Sequence, residues 1–471
     1  MDEQLKEFFF DGGAETGAES SEEMLLKALS AGYGTDSATF TGGRALIPED
    51  CETTMVNAMT VQPEDCKIMN TFKKTPVKST VHEFNRRTSP GDYEFGTAEE
   101  GGVSQQDSQE LERKTQNVKY IQQYREVTEQ MNVVDTFENA FEGEKVAGTL
   151  NILKIAERLC IHGDAEVIPT EFDGMIKQIK SVPLNRRNLI DFRGQTIQNK
   201  GESFFAEMAR MIYDQGGDAN KIFFPTILSE DIQDLCRSRI IFGTNDKNMS
   251  PVFDSYPTPL GTLRFGENTN AGPNKMFRVK GEIATKGDPN KKPNAPTNVG
   301  AVAGANSGSK FIGTADAGNY KYTVFAINRW GISSGTSSST VPVASGDGVT
   351  LTITPDSSKP GTGFIICRSA KNGDKVMEMV RIRLNTQSAT TVYVDLNDDL
   401  PGTTDIIFIT EKKLQTVAEF YQLLPMRLYR MNPVDRLVTP FILALWGDLV
   451  LKVPEWCGIT KNIAYKGGLY A

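Results

Sequence analysis

Histidine is nearly missing from this chain: His82 and His162 are the only two among 471 residues. A nucleophile activated by an imidazole base therefore has few places to form. Neither a P-loop nor an H-E-x-x-H helix occurs. The six cysteines, at positions 51, 66, 160, 236, 367 and 457, include no C-x-x-C pair, so a zinc or redox motif has no support and reduced thiols are expected. Positive charge is in deficit, with 51 Lys and Arg against 60 Asp and Glu, a net charge of -9 and a pI near 5.2. That argues against a general nucleic-acid binder, which needs a cationic footprint. The apolar run Phe441–Trp446 is far short of the roughly 20 residues that span a bilayer, and has the length of a buried strand. The opening MDEQLKEFFFDGG has neither a basic n-region nor a long apolar h-region, so no signal peptide is expected, and the sequon at Asn248 carries no meaning without secretion.

With 39% hydrophobic and 24% charged residues, the composition is that of a soluble globular protein, and the length suggests two to four domains. Short motifs that could carry chemistry each have a plainer reading. Gly331–Gly335 matches G-x-S-x-G, but TSSST follows it and both histidines lie upstream, so a Ser/Gly-rich loop is expected. Asp395, Asn397 and Asp399 have calcium-loop spacing, yet Leu400 stands where that loop needs glycine and the bidentate Glu is missing; a strand-end turn is expected. His82 and His162 read as structural. Asn85-Arg86-Arg87 and Asn185-Arg186-Arg187 read as solvated faces or intersubunit ion pairs. No catalytic, cofactor-binding or metal-ligating residue is assigned.

Along the chain, residues 1–70 read as an arm, with one helical pattern over Ser21–Leu29 and then Gly32, Gly34, Gly42, Gly43 and Pro48. Val77–Arg86 and Lys114–Val127 alternate as strands do, and the polar stretch Thr88–Gln109 joins them, which predicts an extended hairpin with little core of its own. Asn132–Ile161 has the strongest helical period, carried by Val134, Phe137, Phe141, Val146, Leu150, Leu153, Ala156 and Leu159 and stopped at His162-Gly163; Gly143 and Gly148 weaken its first turns. Gly201–Gln215 predicts a second helix, Lys221–Pro225 a buried strand, and Ser229 the cap of a third helix running to Arg239.

From Gly287 onward Pro289, Pro293 and Pro296 mark a linker. Strand-like runs follow at Tyr320–Asn328, Val349–Thr354, Gly363–Arg368, Val376–Leu384 and Thr391–Val394, which predicts a β-sandwich over about 287–404. Helical and α/β patterns flank it on both sides, so it reads as an insertion. Glu411–Tyr465 then shows a helix-like segment with Phe420, Leu423 and Leu424, two apolar runs, Pro440–Trp446 and Leu449–Val453, and a short strand, Ile459–Tyr465.

The order YQLLP, FILALWGDLVLKVPEW and a closing strand resembles the C-terminus of major capsid proteins of large contractile-tailed phages, whose shells use the Hong Kong 97-type fold. AGYGTDSATFTGGRAL, Ala31–Leu46, resembles their arm; the hairpin resembles their E-loop; AEVIPTEFDG, Ala165–Gly174, follows their spine helix. PNAPTNVGAV and YTVFAINRWGIS resemble strands of immunoglobulin or fibronectin type III domains, and DLNDDLPGTTDIIFI resembles the exit from such an insertion. The resemblance implies an α+β subunit: arm 1–70, E-loop 71–130, P-domain 131–185, A-domain 186–286, inserted immunoglobulin-like sandwich 287–404, and 405–471 returning to the A- and P-domains. It implies a non-enzymatic building block without cofactor or metal. That block would assemble with copies of itself as hexamers and pentamers, in the host bacterial cytoplasm, into an icosahedral virion shell around double-stranded DNA. Scaffold, portal and decoration proteins are the further candidate partners. An encapsulin compartment and a surface adhesin are the alternatives.

Overall fold

The computed structural model of the chain describes residues 62–470 except 90, 92–96, 98–99, 101, 103–107, 135–138, 237–254, 267–269, 412–416 and 435. The arm expected over 1–70 therefore falls outside the described residues up to position 61, and so does most of the hairpin tip. The first described helix, α1 (Lys67–Thr71), starts on a buried carboxylate: Glu157 accepts from Ile68 N at 2.8 Å and Met69 N at 2.9 Å. Strand β1 (Lys73–Pro76) follows. Strands β2 (Val81–Ser89) and β3 (Glu110–Asn117) pair antiparallel as a two-stranded hairpin, from Val81↔Asn117 to Ser89↔Glu110. The strand expected over Lys114–Val127 is two strands. It breaks at buried Val118, and β4 (Lys119–Thr128) leaves the hairpin for another sheet because Ile121 and Val127 are apolar enough to enter the core.

The long helix expected from Asn132 begins later. A short helix α2 (Glu129–Val133) comes first, and α3 (Ala140–His162) starts where the Asn139 side chain accepts from Phe141 N at 3.0 Å and Glu142 N at 3.3 Å. Val134 and Val146, expected on its core face, are exposed. Gly148 sits close against Leu443: a Cβ there would come within 2.4 Å of Leu443 Cδ1, so the end of that side chain would have to shift. Helix α4 (Met175–Lys180) and strand β5 (Asn188–Asp191) lead to α5 (Ile197–Lys200) and α6 (Ser203–Asp214). Phe204, Phe205, Met208, Ala209 and Ile212 give α6 one apolar face, and Gly216, at φ 87°, turns the chain out of it. Strand β6 (Ala219–Pro225) ends in a 3-10 turn, Thr226–Leu228, that runs directly into α7 (Ser229–Cys236). Ser229 has helical backbone angles, so it continues that turn instead of capping the helix. Strands β7 (Ser255–Thr258), β8 (Gly261–Arg264) and β9 (Gly272–Asn274) complete this part.

Residues 286–395 fold as β10 (Lys286–Gly287), β11 (Asn298–Ala305), a single turn α8 (Gly313–Asp316), β12 (Gly318–Tyr320), β13 (Tyr322–Asn328), β14 (Gly331–Ser337), β15 (Val341–Val343), β16 (Asp347–Thr354), β17 (Gly363–Ser369), β18 (Val376–Arg383) and β19 (Thr391–Asp395). A five-stranded sheet, β10-β14-β13-β17-β18, and a three-stranded sheet, β11-β16-β19, share one core of Val299, Val324, Leu351, Ile353, Phe364 and neighbours. Strands β13 and β17 lack the inward–outward alternation of a half-buried sheet. Their other face holds Phe325, Ile327, Ile365 and Cys367, which pack on Val167 and Ile168 just beyond α3.

The chain then returns through β20 (Thr404–Thr410), β21 (Ala418–Arg430), β22 (Val438–Leu451) and β23 (Gly458–Ile463). The helix-like segment around Phe420 is the strand β21. Its backbone pairs on both sides, parallel to β1 and antiparallel to β22, and Pro425 falls inside the register shift between Leu424 and Arg427, where a missing N–H breaks no ladder. The two apolar runs are one strand, β22: Gly447 and Asp448 stay in register with Gln422 and Tyr421. One sheet has the order β1-β21-β22-β4; a seven-stranded sheet runs β5-β23-β20-β6-β8-β7, with β9 also on β6. Strands from after residue 404 thus pair with strands from before residue 286 in both sheets. The four-stranded sheet and α3 enclose one core, and the seven-stranded sheet and α6 another.

Candidate functional site: an assembly surface

Among the described residues the hairpin β2–β3 joins no larger sheet, and a few contacts hold it to the rest of the subunit. The His82 ring lies 4.1 Å from Tyr421. Arg86 is the main tie: Nε meets Glu112 Oε2 at 2.6 Å across the hairpin, and Nη1 meets Glu455 Oε2 at 2.9 Å on the 3-10 turn Pro454–Trp456. Beyond Arg86, Leu111 is exposed. Two strands with this little apolar contact are marginal alone.

A second surface lies at the far end of the four-stranded sheet. Helix α2 and the β21–β22 turn meet there: Glu129 N donates to Leu437 O at 3.1 Å, Met431 N to Pro440 O at 2.9 Å, and Thr439 Oγ1 to the Glu129 carboxylate. Their apolar side chains face out together. Met131, Val134, Met431 and Leu437 are exposed, Val133 is 83% exposed and Val434 91%. Exposed apolar side chains on neighbouring elements offer a surface for contact with another chain. It was not found from sequence, where Val134 reads as core; the available signal was Val434 and Leu437 beside the turn pair Asn432-Pro433.

The third feature joins the segment 286–395 to the rest of the molecule. A cavity of about 460 Å³ is lined by His162, Lys180, Arg278, Lys280, Glu378 and Asp399, among others. Glu378 Oε1 meets Arg278 at 3.0 Å and Arg381 at 2.9 Å. Burial opposes the Glu378 charge, but the two guanidiniums win and hold its carboxyl down at about 2. His162 accepts from Arg278 N at 2.7 Å, and burial keeps its imidazole well below the ordinary value, hence neutral. Lys461 meets Asp398 at 2.7 Å, and Asn462 accepts from Leu400 N at 2.9 Å. Together with the apolar contact at Val167 and Ile168, these tie the segment firmly to the body.

The motifs singled out from sequence are scattered among these features. Ser333 is buried on strand β14, accepts from Ala326 N at 2.9 Å and donates to Ser334 O at 2.7 Å; no elbow and no histidine accompany it. Asp395 takes Arg368 at 2.5 Å and Tyr322 Oη at 2.9 Å, Asn397 takes Arg368 at 2.7 Å, and Asp399 sits between Lys180 and Lys461, so the calcium-like spacing is spent on cations of the chain. Among the described residues no group of three or more His, Cys, Asp and Glu could hold a metal ion, and no helix is long and apolar enough to cross a membrane. Arg186 stands on an exposed loop, while Arg186 and Arg86 both line the open groove beneath the hairpin.

Among the described residues, the hairpin and the apolar tip offer surfaces for contact with other chains. Residues 32–285 match the SU10 major capsid protein family, and the chain belongs to that family. It is therefore a structural subunit of a capsid shell. Major capsid proteins of Staphylococcus phage K and Staphylococcus phage S25-3 are each 23% identical to it over 467 residues, which cover 95% of this chain and 96% of theirs. Solved capsid and encapsulin chains align with it over most of their length. A capsid chain of the native GTA particle aligns with a TM-score of 0.48 at 7% identity, covering 92% of this chain and 100% of that one. The SrpI encapsulin of Synechococcus elongatus PCC 7942 aligns with a TM-score of 0.44, also at 7% identity, covering 92% and 96%.

Proposed function

We propose that this chain builds the icosahedral head of a tailed phage as hexamers and pentamers that enclose double-stranded DNA, with assembly in the host cytoplasm. The observation that carries it is the combination of exposed apolar residues at the tip of the four-stranded sheet with a hairpin that pairs with no other strand among the described residues. Closed symmetry covers both through repeated contacts. In this reading 71–130 is the E-loop lying over an adjacent subunit, 131–185 the P-domain and 186–286 the A-domain. Residues 287–404 are an inserted immunoglobulin-like sandwich on the outer surface, where it does not compete with packed DNA, and 405–471 complete the A- and P-domains. Scaffold, portal and decoration proteins are its partners, and the role is not enzymatic. The acidic net charge supports it, since a container wall should not bind the DNA it holds.

The test is electron microscopy of the purified assembly together with deletion of residues 98–106. Closed shells containing DNA are expected from the wild-type chain, and a folded subunit with impaired shell formation from the deletion. Shells filled with protein cargo would favour the encapsulin alternative. A strictly monomeric wild-type chain at high concentration would sink both.

A further inference from the structure

Strand β11 pairs with β16 over eight residues, from Asn298↔Thr354 to Ala305↔Asp347, without a register shift, and among the described residues no strand hydrogen-bonds to its other side. Such edges are hazardous, because a row of unpaired N–H and C=O groups recruits other chains; proteins blunt them with lysine, proline or bulges. This chain does so on the edge strand β1, which carries Lys73, Lys74 and Pro76. Strand β11, NVGAVAGA, has none of these devices. The outward face beside it is bare as well. Val302 is 68% exposed, Thr352, Val392 and Val394 are exposed, and a Cβ built at Gly304 would meet nothing within 4 Å. No charged side chain projects from this face, in a chain that is 24% charged.

We infer that β11 is an interaction edge and that its occupant is β11 of a second copy, paired antiparallel across a two-fold axis. Charge selects the occupant. At a two-fold a strand faces itself, so any ionised residue sits near its own copy; residues 298–305 contain none, whereas β1 would oppose its own lysines and β19 carries Asp395. Directly opposed residues must lie on the same face of the sheet, so the axis passes through a residue. Through Val302, Val302 faces Val302 of the second copy, Ala301 faces Ala303, Gly300 faces Gly304, and Val299 faces Ala305. Two three-stranded sheets become one of six, with the uncharged faces side by side. One strand pair buries too little to hold a dimer alone, so this contact acts where others already hold the copies together. In that respect it rests on the shell reading.

The test is Val302→Cys in the full chain, with assembled particles oxidised and run on a non-reducing gel. Facing Cα atoms at such a pair lie about 4.5–5.5 Å apart, within disulfide reach. The control, Thr352→Cys, is exposed on the same face one strand further in, which places its two copies about three strand spacings apart and out of reach. Dimer at least tenfold above the control is expected from Val302→Cys shells. Closed shells with no more dimer than the control overturn the edge pairing and leave the shell reading standing. So does density of another chain or a glycan along β11 in a shell map. A wild-type chain that forms no shells overturns both.

Discussion

Ending the chain at Thr410 should abolish folding of the whole subunit, not merely remove a tail. The lost strands are interior ones: β22 lies between β21 and β4, and β23 between β5 and β20. Phe420, Phe441, Leu443, Leu445, Leu449, Val450, Leu451, Ile459 and Ile463 are all at most 4% exposed and all lie beyond the cut. Fully burying such a side chain is worth roughly 1.5–3 kcal/mol, so these alone rival or exceed the 5–15 kcal/mol net stability of an ordinary domain. What remains keeps α3 with its apolar face bare and β4 without its partner. The 1–410 fragment is expected in inclusion bodies, or as a soluble species without a cooperative thermal transition and degraded rapidly by protease. A milder version is Phe441→Ala, where loss of a fully buried ring 5.0 Å from Phe141 should cost about 3–5 kcal/mol in urea denaturation. A soluble, cooperatively melting 1–410 fragment would refute the reasoning and make 411–471 a separate unit.

Gly148→Ala gains about 1 kcal/mol of helix propensity but should still lose about 1–3 kcal/mol to the clash with Leu443, net destabilising in chemical denaturation and partly rescued by Leu443→Val. Arg368→Met should cost about 3–5 kcal/mol, because it leaves Asp395 buried without its cation; adding Asp395→Asn should recover part of it, and denaturation of both variants reads the difference. Burial raises the Glu157 carboxyl in spite of its three donors, so its folded value lies above its unfolded one. Its contribution is then complete below the ordinary value near 4.5 and fades as pH rises through the folded value. The melting temperature of wild type should therefore fall relative to that of Glu157→Gln as pH rises from 4.5 toward 8, and parallel profiles would contradict it.

Much of the secondary structure was legible because it is written in short-range periods. The runs Gly363–Arg368, Val376–Leu384 and Thr391–Val394 are alternating or apolar stretches bounded by turn residues, and each is a strand within a residue or two of its expected ends. The stop at His162-Gly163 was equally local. Reading β21 as a helix failed for the opposite reason. Phe420, Leu423 and Leu424 fit a helical step, but the segment is held extended by partners far away in sequence, such as Thr75 beside Tyr421.

The sequence by itself determined the acidic balance, the want of a histidine-based constellation, the turn-delimited strands of 298–395 and the main helices, since each follows from composition or from neighbours within a few residues. Tertiary structure alone decided which strands meet. It split Lys114–Val127 between two sheets, fused two apolar runs into β22, buried both faces of β13 and β17, and left Val133, Val134 and Val434 in solvent. It also chose Glu157 to receive the amides of α1 from 88 and 89 residues away. The physical reason is that hydrophobic burial rewards any apolar surface equally, so the identity of the covering element is set by long-range register and chain closure. Where no described residue covers a side chain, as at the α2 tip and along β11, the exposed surface is what the proposed contacts with another copy would use.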